Sequence, residues 1–187
     1  LGDEERALYA ILRTQADYKC YVPLTTDTLI RYATDYYNRN KKSYRAAMAW
    51  YSLGCVYTEL QDDEEAIQAY LRAQSFFPDT TVRYHALCRH NLGCHYLNRE
   101  LFDEAISSFQ LCKLLAIAMT DSVTIGYCDY YVGCAYLYQK EFDSAEAYFD
   151  KVHHNAWSAN ISIDNLYLTP QLCPLCNKYH ESGVYSK

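Results

Sequence analysis

Residues that reverse a chain are scarce in this sequence. Its 187 residues include six glycines and four prolines, about 5% where average usage is roughly 12%. Sandwiches and barrels of many short strands need turn residues at every reversal, so a mainly helical chain is expected. Cations are also in deficit, with 17 Lys and Arg against 23 Asp and Glu and a formal charge of −6. A protein that neutralises a phosphate backbone needs the opposite balance, so no nucleic-acid partner is expected. Long apolar runs are missing too. Leu114–Met119 spans six residues, against about eighteen for a membrane-spanning helix, so no membrane insertion is expected. The chain starts at Leu1 without a charged, apolar and small-residue leader, and reads as processed or as part of something longer.

What is present is a core and a repeat. Half of the residues are hydrophobic and 16% are aromatic, too many for a disordered chain and enough for one domain or one short repeat array. Three segments align without gaps: Leu53-Gly54-Cys55-Val56-Tyr57, Leu92-Gly93-Cys94-His95-Tyr96 and Val132-Gly133-Cys134-Ala135-Tyr136. Twelve residues after each Gly comes an Ala (Ala66, Ala105, Ala145), and four later an aromatic (Tyr70, Phe109, Phe149). The period is 39 and then 40 residues.

Such a pattern predicts a helical hairpin. Glycine inside a helix costs about 1 kcal/mol relative to Ala, so something compensates in each repeat. Close approach of the second helix through its small Ala is the expected compensation, with Tyr or Phe filling the space beside it. Asp62-Asp63-Glu64-Glu65, Asp103-Glu104 and Asp143-Ser144 place capping or acidic residues where each second helix should start, facing its positive end. Pro78 followed by Asp79-Thr80 reads as a stop and a new cap. Arg39, Lys41, Lys42 and Arg45 cluster at a helix junction and read as a solvated turn.

With these residues in register, the chain resembles the tetratricopeptide repeat family. Its 34-residue motif is met by Trp50, Leu53, Gly54, Tyr57, Ala66, Tyr70, Ala73 and Pro78. The next repeat departs at Arg89, Cys112 and Ile117, and the third at Asp129, Val132, Val152 and Trp157. The resemblance implies an all-α, right-handed superhelical solenoid of about four antiparallel helical hairpins. Its repeat domain spans 1–156, with a degenerate unit at 1–40, clearer units at 41–78, 79–118 and 119–156, and an irregular C-terminal cap at 157–187. Leu12-Arg13-Thr14-Gln15-Ala16 and Val22-Pro23-Leu24-Thr25 are similar to phrases in exported or membrane-anchored bacterial tetratricopeptide proteins of sensing and regulation.

The family's concave groove is lined by first-helix positions that carry over, one residue at a time, to Met48, Tyr51, Cys55, Thr58 and Glu59, to Leu87, His90, Cys94, Leu97 and Asn98, and to Tyr127, Tyr130, Cys134, Leu137 and Tyr138. This set holds one carboxylate and no Lys or Arg, unlike grooves that clamp an acidic peptide terminus. The resemblance therefore implies a non-enzymatic scaffold binding a protein or peptide segment, with Tyr51, Tyr130 and Tyr138 burying partner side chains and His90, Asn98 and Glu59 setting register. Packing against a neighbouring repeat or a missing C-terminal portion is the competing reading for Tyr127, Tyr130 and Tyr138. An alternative function is the sensory or regulatory module of a bacterial signalling protein whose output portion lies outside this chain.

Nine cysteines are an odd number for a disulfide framework. Cys55, Cys94 and Cys134 share one repeat position and Cys88 and Cys128 another, and equivalent residues on packed helices lie about 8 to 10 Å apart, beyond disulfide reach. Unpaired helical thiols favour a cytoplasmic setting, against the export suggested by the second resemblance. His90 and Cys94 give two ligands where zinc needs three or four, and no orienting carboxylate marks them as a nucleophile pair. Cys173, Cys176 and His180 form a CxxC with a following His, a weak candidate for half a zinc site, a redox pair or simply part of the cap. Asn160-Ile161-Ser162 matches a glycosylation sequon, a common chance match. No cofactor is expected, and oligomeric state is not legible.

Overall fold

The structure, a computed structural model, describes residues 2–40 and 43–158. The described residues form eight helices: α1 (Asp3–Lys19), α2 (Thr28–Asn40), α3 (Ser43–Glu59), α4 (Asp63–Phe76), α5 (Val82–Asn98), α6 (Phe102–Ala118), α7 (Ser122–Tyr138) and α8 (Phe142–Ser158). No strand occurs among them, and none of the described helices is long and apolar enough to cross a membrane. The chain divides into two compact units, Leu1–Leu101 and Phe102–Lys187. In the first, α1 packs on α2 and α3, α2 on α3, α3 on α4, and α4 on α5; in the second, α7 packs on both α6 and α8. Residues 159–187, with most of the expected C-terminal cap, lie outside the described residues, as do Lys41 and Lys42.

Glycine-poor turns are explained by how the helices end. Tyr21, Gln61, Glu100, Thr120 and Lys140 all carry a positive φ, between 54° and 65°. Behind α3 the Asp62 amide donates to the Tyr57 carbonyl at 2.9 Å and the Gln61 amide to that of Thr58 at 3.1 Å; Leu101 and Glu100 repeat this behind α5, and Glu141 and Lys140 behind α7. This is the Schellman closure, which usually places Gly at the left-handed residue. Here side chains occupy it at a cost of about 1 kcal/mol each. Except behind α1, where α2 starts at Thr28, the next helix begins within two residues and holds them there. Asp62 caps α4 by accepting from the Glu65 amide at 3.2 Å, and Asp121 caps α7 by accepting from Thr124 at 3.1 Å. The stop at Pro78 places the cap of α5 on Thr81, later than the Asp79-Thr80 read from sequence. The Thr81 hydroxyl donates back to the Pro78 carbonyl, and it makes no capping bond to α5.

The helical glycine makes room for the second helix, and the group that comes nearest is its aromatic ring. A Cβ on Gly54 would lie 2.6 Å from Tyr70 Cε1, and one on Gly133 would lie 2.7 Å from Phe149 Cε1. The aromatic of the second helix lies across the glycine and supplies the three nearest atoms in each case. Tyr70 is fully buried. Trp50 ties three helices: its indole donates to Asn38 Oδ1 at 3.0 Å, and the Arg72 guanidinium sits 4.9 Å from its ring centre. Asp129 stands where the third repeat would carry that Trp. It has no exposed surface, and both its oxygens accept from Lys113 Nζ on α6, at 2.6 and 2.7 Å. Pairing is what makes a buried carboxylate tolerable there.

Gly54→Ala is expected to lower stability by about 1 kcal/mol or more, overpacking against Tyr70 outweighing the helix-propensity gain. Adding Tyr70→Leu should recover part of that loss in urea unfolding, and a stabilised Gly54→Ala would contradict the packing account. Gln61→Gly should raise stability by about 0.5 kcal/mol in the same assay, because relief of the left-handed side chain exceeds the added chain entropy.

Candidate functional site

Within the first unit, the first helices of three successive hairpins present one repeated face. α1 contributes Thr14, Gln15 and Tyr18, α3 contributes Tyr51, Ser52 and Cys55, and α5 contributes Arg83, Tyr84 and Leu87. Each trio has the spacing i, i+1, i+4, which keeps its members on one side of a helix. Together with Lys19 they enclose a cavity of about 260 Å³. The walls are tied to the core. Tyr51 meets Tyr70 and Tyr84 edge-on at 5.7 and 6.0 Å, and Tyr84 stacks on Phe77 at 4.8 Å. Gln15 donates to Ser52 Oγ at 3.2 Å, which itself donates to the Met48 carbonyl.

Two of the hydroxyls lining the cavity, those of Tyr18 and Tyr51, are kept protonated. Burial pushes the Tyr18 hydroxyl well above its ordinary range, helped by Cys55 and by the charge of Glu59, and burial does the same to Tyr51. Burial also pushes the Cys55 thiol up to about 12, so it is a thiol and not a nucleophilic thiolate. Behind this wall runs a polar chain. Tyr70 donates to Cys55 Sγ at 3.7 Å and lies 3.1 Å from Thr58 Oγ1. Thr58 is 2.9 Å from His95 Nε2, and His95 Nδ1 is 2.6 Å from Asp63 Oδ1. Carboxylate, imidazole and hydroxyl in this order would suit a nucleophilic triad. The Thr58 hydroxyl, however, donates to the Gly54 carbonyl at 2.9 Å and does not line the cavity. The chain instead fixes the α3–α4–α5 contact that positions the wall.

The groove residues carried over from the motif have varied placements. Tyr51 and Cys55 line the cavity. Glu59 is exposed at the end of α3. His90 and Cys94 are half-buried on α5 with Nδ1 and Sγ 3.9 Å apart, and burial pushes His90 down, towards the neutral imidazole. Asn98 is exposed and donates to Asp63 Oδ1 at 3.2 Å, which engages the amide within the chain. Tyr127, Tyr130, Cys134 and Tyr138 belong to α7 in the second unit. Cys134 has no exposed surface. Tyr130 is half-buried against Tyr131 and Phe149, at 5.4 and 5.9 Å, and Tyr138 stacks on Phe102 at 5.8 Å. No disulfide joins any two of the seven cysteines among the described residues. No three His, Cys, Asp or Glu among the described residues are grouped as metal ligands, and Cys173, Cys176 and His180 lie outside those residues.

Motif transfer missed Thr14, Gln15, Tyr18 and Lys19, because α1 carries no Leu-Gly pair to set its register. A shift of 40 residues from Cys55 lands on Gln15, a signal available from the repeat period alone. Arg83 and Tyr84 were missed because they precede the motif of their repeat by one turn.

Residues 47–80 match the model of the family described as Tetratricopeptide repeat. No curated protein matches the sequence. Among solved structures, the chain is similar to the crystal structure of aspartyl phosphate phosphatase F from Bacillus subtilis, with a TM-score of 0.72 and 16% sequence identity over 98% of this chain and 49% of that one. It thus spans about half the length of that protein, and at this identity the likeness shows the fold. The tetratricopeptide resemblance and the all-α helical-hairpin architecture expected from sequence both hold.

The raised thiols give a direct test of the cavity wall. Burial pushes Cys55 and Cys88 up to about 12, whereas Cys20 is exposed. At pH 8, brief iodoacetamide treatment with peptide mapping should label Cys20 and leave Cys55 and Cys88 unmodified until urea unfolds the protein. Equal labelling of all three in the folded state would contradict the burial described.

Proposed function

We propose that this helical-repeat scaffold acts without catalysis, by holding a protein or peptide segment on its first-helix faces. The observation that carries the reading is the first-unit cavity, where three consecutive first helices turn the same i, i+1, i+4 face towards one space. Its walls are suited to burying side chains of an extended segment. Tyr51, Tyr84 and Leu87 offer apolar surface, Tyr18 and Gln15 offer donors, and the rings are held by the aromatic cluster behind them. In the second unit, Tyr127, Tyr130 and Tyr138 are proposed as contacts on the first-helix face of α7. A sensory or regulatory module would use the same surfaces, with the bound segment as its signal.

Leu87→Glu tests this, since it removes apolar surface worth about 1.5–3 kcal/mol and adds a charge, at a residue already half-buried. With helicity checked by circular dichroism, a partner captured by the wild-type chain should be lost, or weakened at least about tenfold, with Leu87→Glu. The same partners with both proteins, or none with either, would overturn the reading.

A further inference from the structure

We propose that the cavity of the first unit is an anion subsite, where an acidic side chain of the bound segment sits between Lys19 and Arg83. This rests on the reading above that a segment occupies this face. No carboxylate lines the cavity, while two cations do. Five guanidinium groups of the same unit have partners: Arg13 pairs with Asp17, Arg31 with Asp27, Arg45 with Glu4 and Arg99 with Glu64, and Arg72 lies over Trp50. Neither Lys19 nor Arg83 has an ion pair or hydrogen bond among the described residues.

Arg83 carries the argument. Lys19 stands in the last turn of α1, the negative end of the helix dipole, where a cation is favourable without any ligand. Arg83 stands in the first turn of α5, the positive end, where a cation is opposed by the dipole and an anion is favoured. No side chain caps that end, because the Thr81 hydroxyl donates to Pro78. Arg83 and Lys19 are both exposed, so a carboxylate entering the cavity from solvent would meet Arg83, the end of α5 and Lys19 together. The neighbouring hydroxyl of Tyr18, held in its donor form, suits the same occupant. Glu59, the carboxylate whose charge reaches Tyr18, is exposed and pairs with neither cation. At about 260 Å³ the space is smaller than the usual small-molecule pocket and suits one or two side chains.

An array of random nonapeptides, acetylated at one end and amidated at the other, leaves side chains as the only source of negative charge. Wild-type chain should select peptides with Asp or Glu at a shared position. Changing that residue to Gln or Asn in a selected peptide should weaken binding about tenfold, the scale of one charge-assisted hydrogen-bonded contact. The penalty should largely vanish on Arg83→Gln, and Arg83→Glu should shift the selection towards Lys or Arg. Peptides selected without acidic preference, an equal penalty on wild type and Arg83→Gln, or binding seen only with a free C-terminal carboxylate would each overturn the subsite and leave segment binding standing. If no peptide binds, blocked or free, segment binding and the subsite fall together.

Discussion

An aromatic ring lying across a glycine is the contact on which the repeat depends. Tyr70 over Gly54 and Phe149 over Gly133 leave no room for a β-carbon, and a fully packed interior transmits any added volume as strain. The contact fixes the separation of the two helices in each of these hairpins. It also explains why a residue unfavourable to helices recurs in the middle of one. The small Ala twelve residues after the glycine is buried at Ala66 and Ala145, which keeps the second helix close enough for the ring to reach across.

The same ring connects packing to the candidate site. Tyr70 is buried over Gly54, meets Tyr51 edge-on, stacks on His95 at 5.8 Å, and donates its hydroxyl proton to the thiol of Cys55. The cavity wall is therefore built on the hairpin contact itself. His95, buried between Asp63 and Thr58, extends the brace to α5. A surface backed in this way presents its side chains with little ordering entropy left to lose on binding, which is the physical advantage of a preorganised site.

Charge is distributed to match. The chain is acidic overall, yet the cavity residues include two cations and no carboxylate. Asp129 shows the contrasting case: a carboxylate with no exposed surface that accepts two bonds from one lysine. There the ion pair is completed inside the fold, and the slot of a missing Trp is filled by a buried pair. At Arg83 no such completion exists among the described residues.

Periodicity alone determined the class of fold. Leu53-Gly54, Leu92-Gly93 and the following Ala and aromatic positions recur at a fixed interval, the Gly54 and Gly133 hairpins solve the same packing problem, and that repetition is written in one dimension. The helix start at Asp62 was readable for a similar reason, since capping is local. Other features needed the folded chain. Whether the glycine makes room for Ala or for the ring depends on which atom arrives across the hairpin. The turn residues Gln61, Glu100 and Lys140 do not announce a left-handed conformation, because the bonds that impose it come from residues brought into place by the flanking helices. The candidate site was half legible. Tyr51 and Cys55 followed from the motif, whereas Gln15, Tyr18, Lys19 and Arg83 reach the cavity from stretches without motif residues. Side chains from three helices converge on a single space only after packing has set the rotation of each helix, and tertiary structure alone decides that rotation.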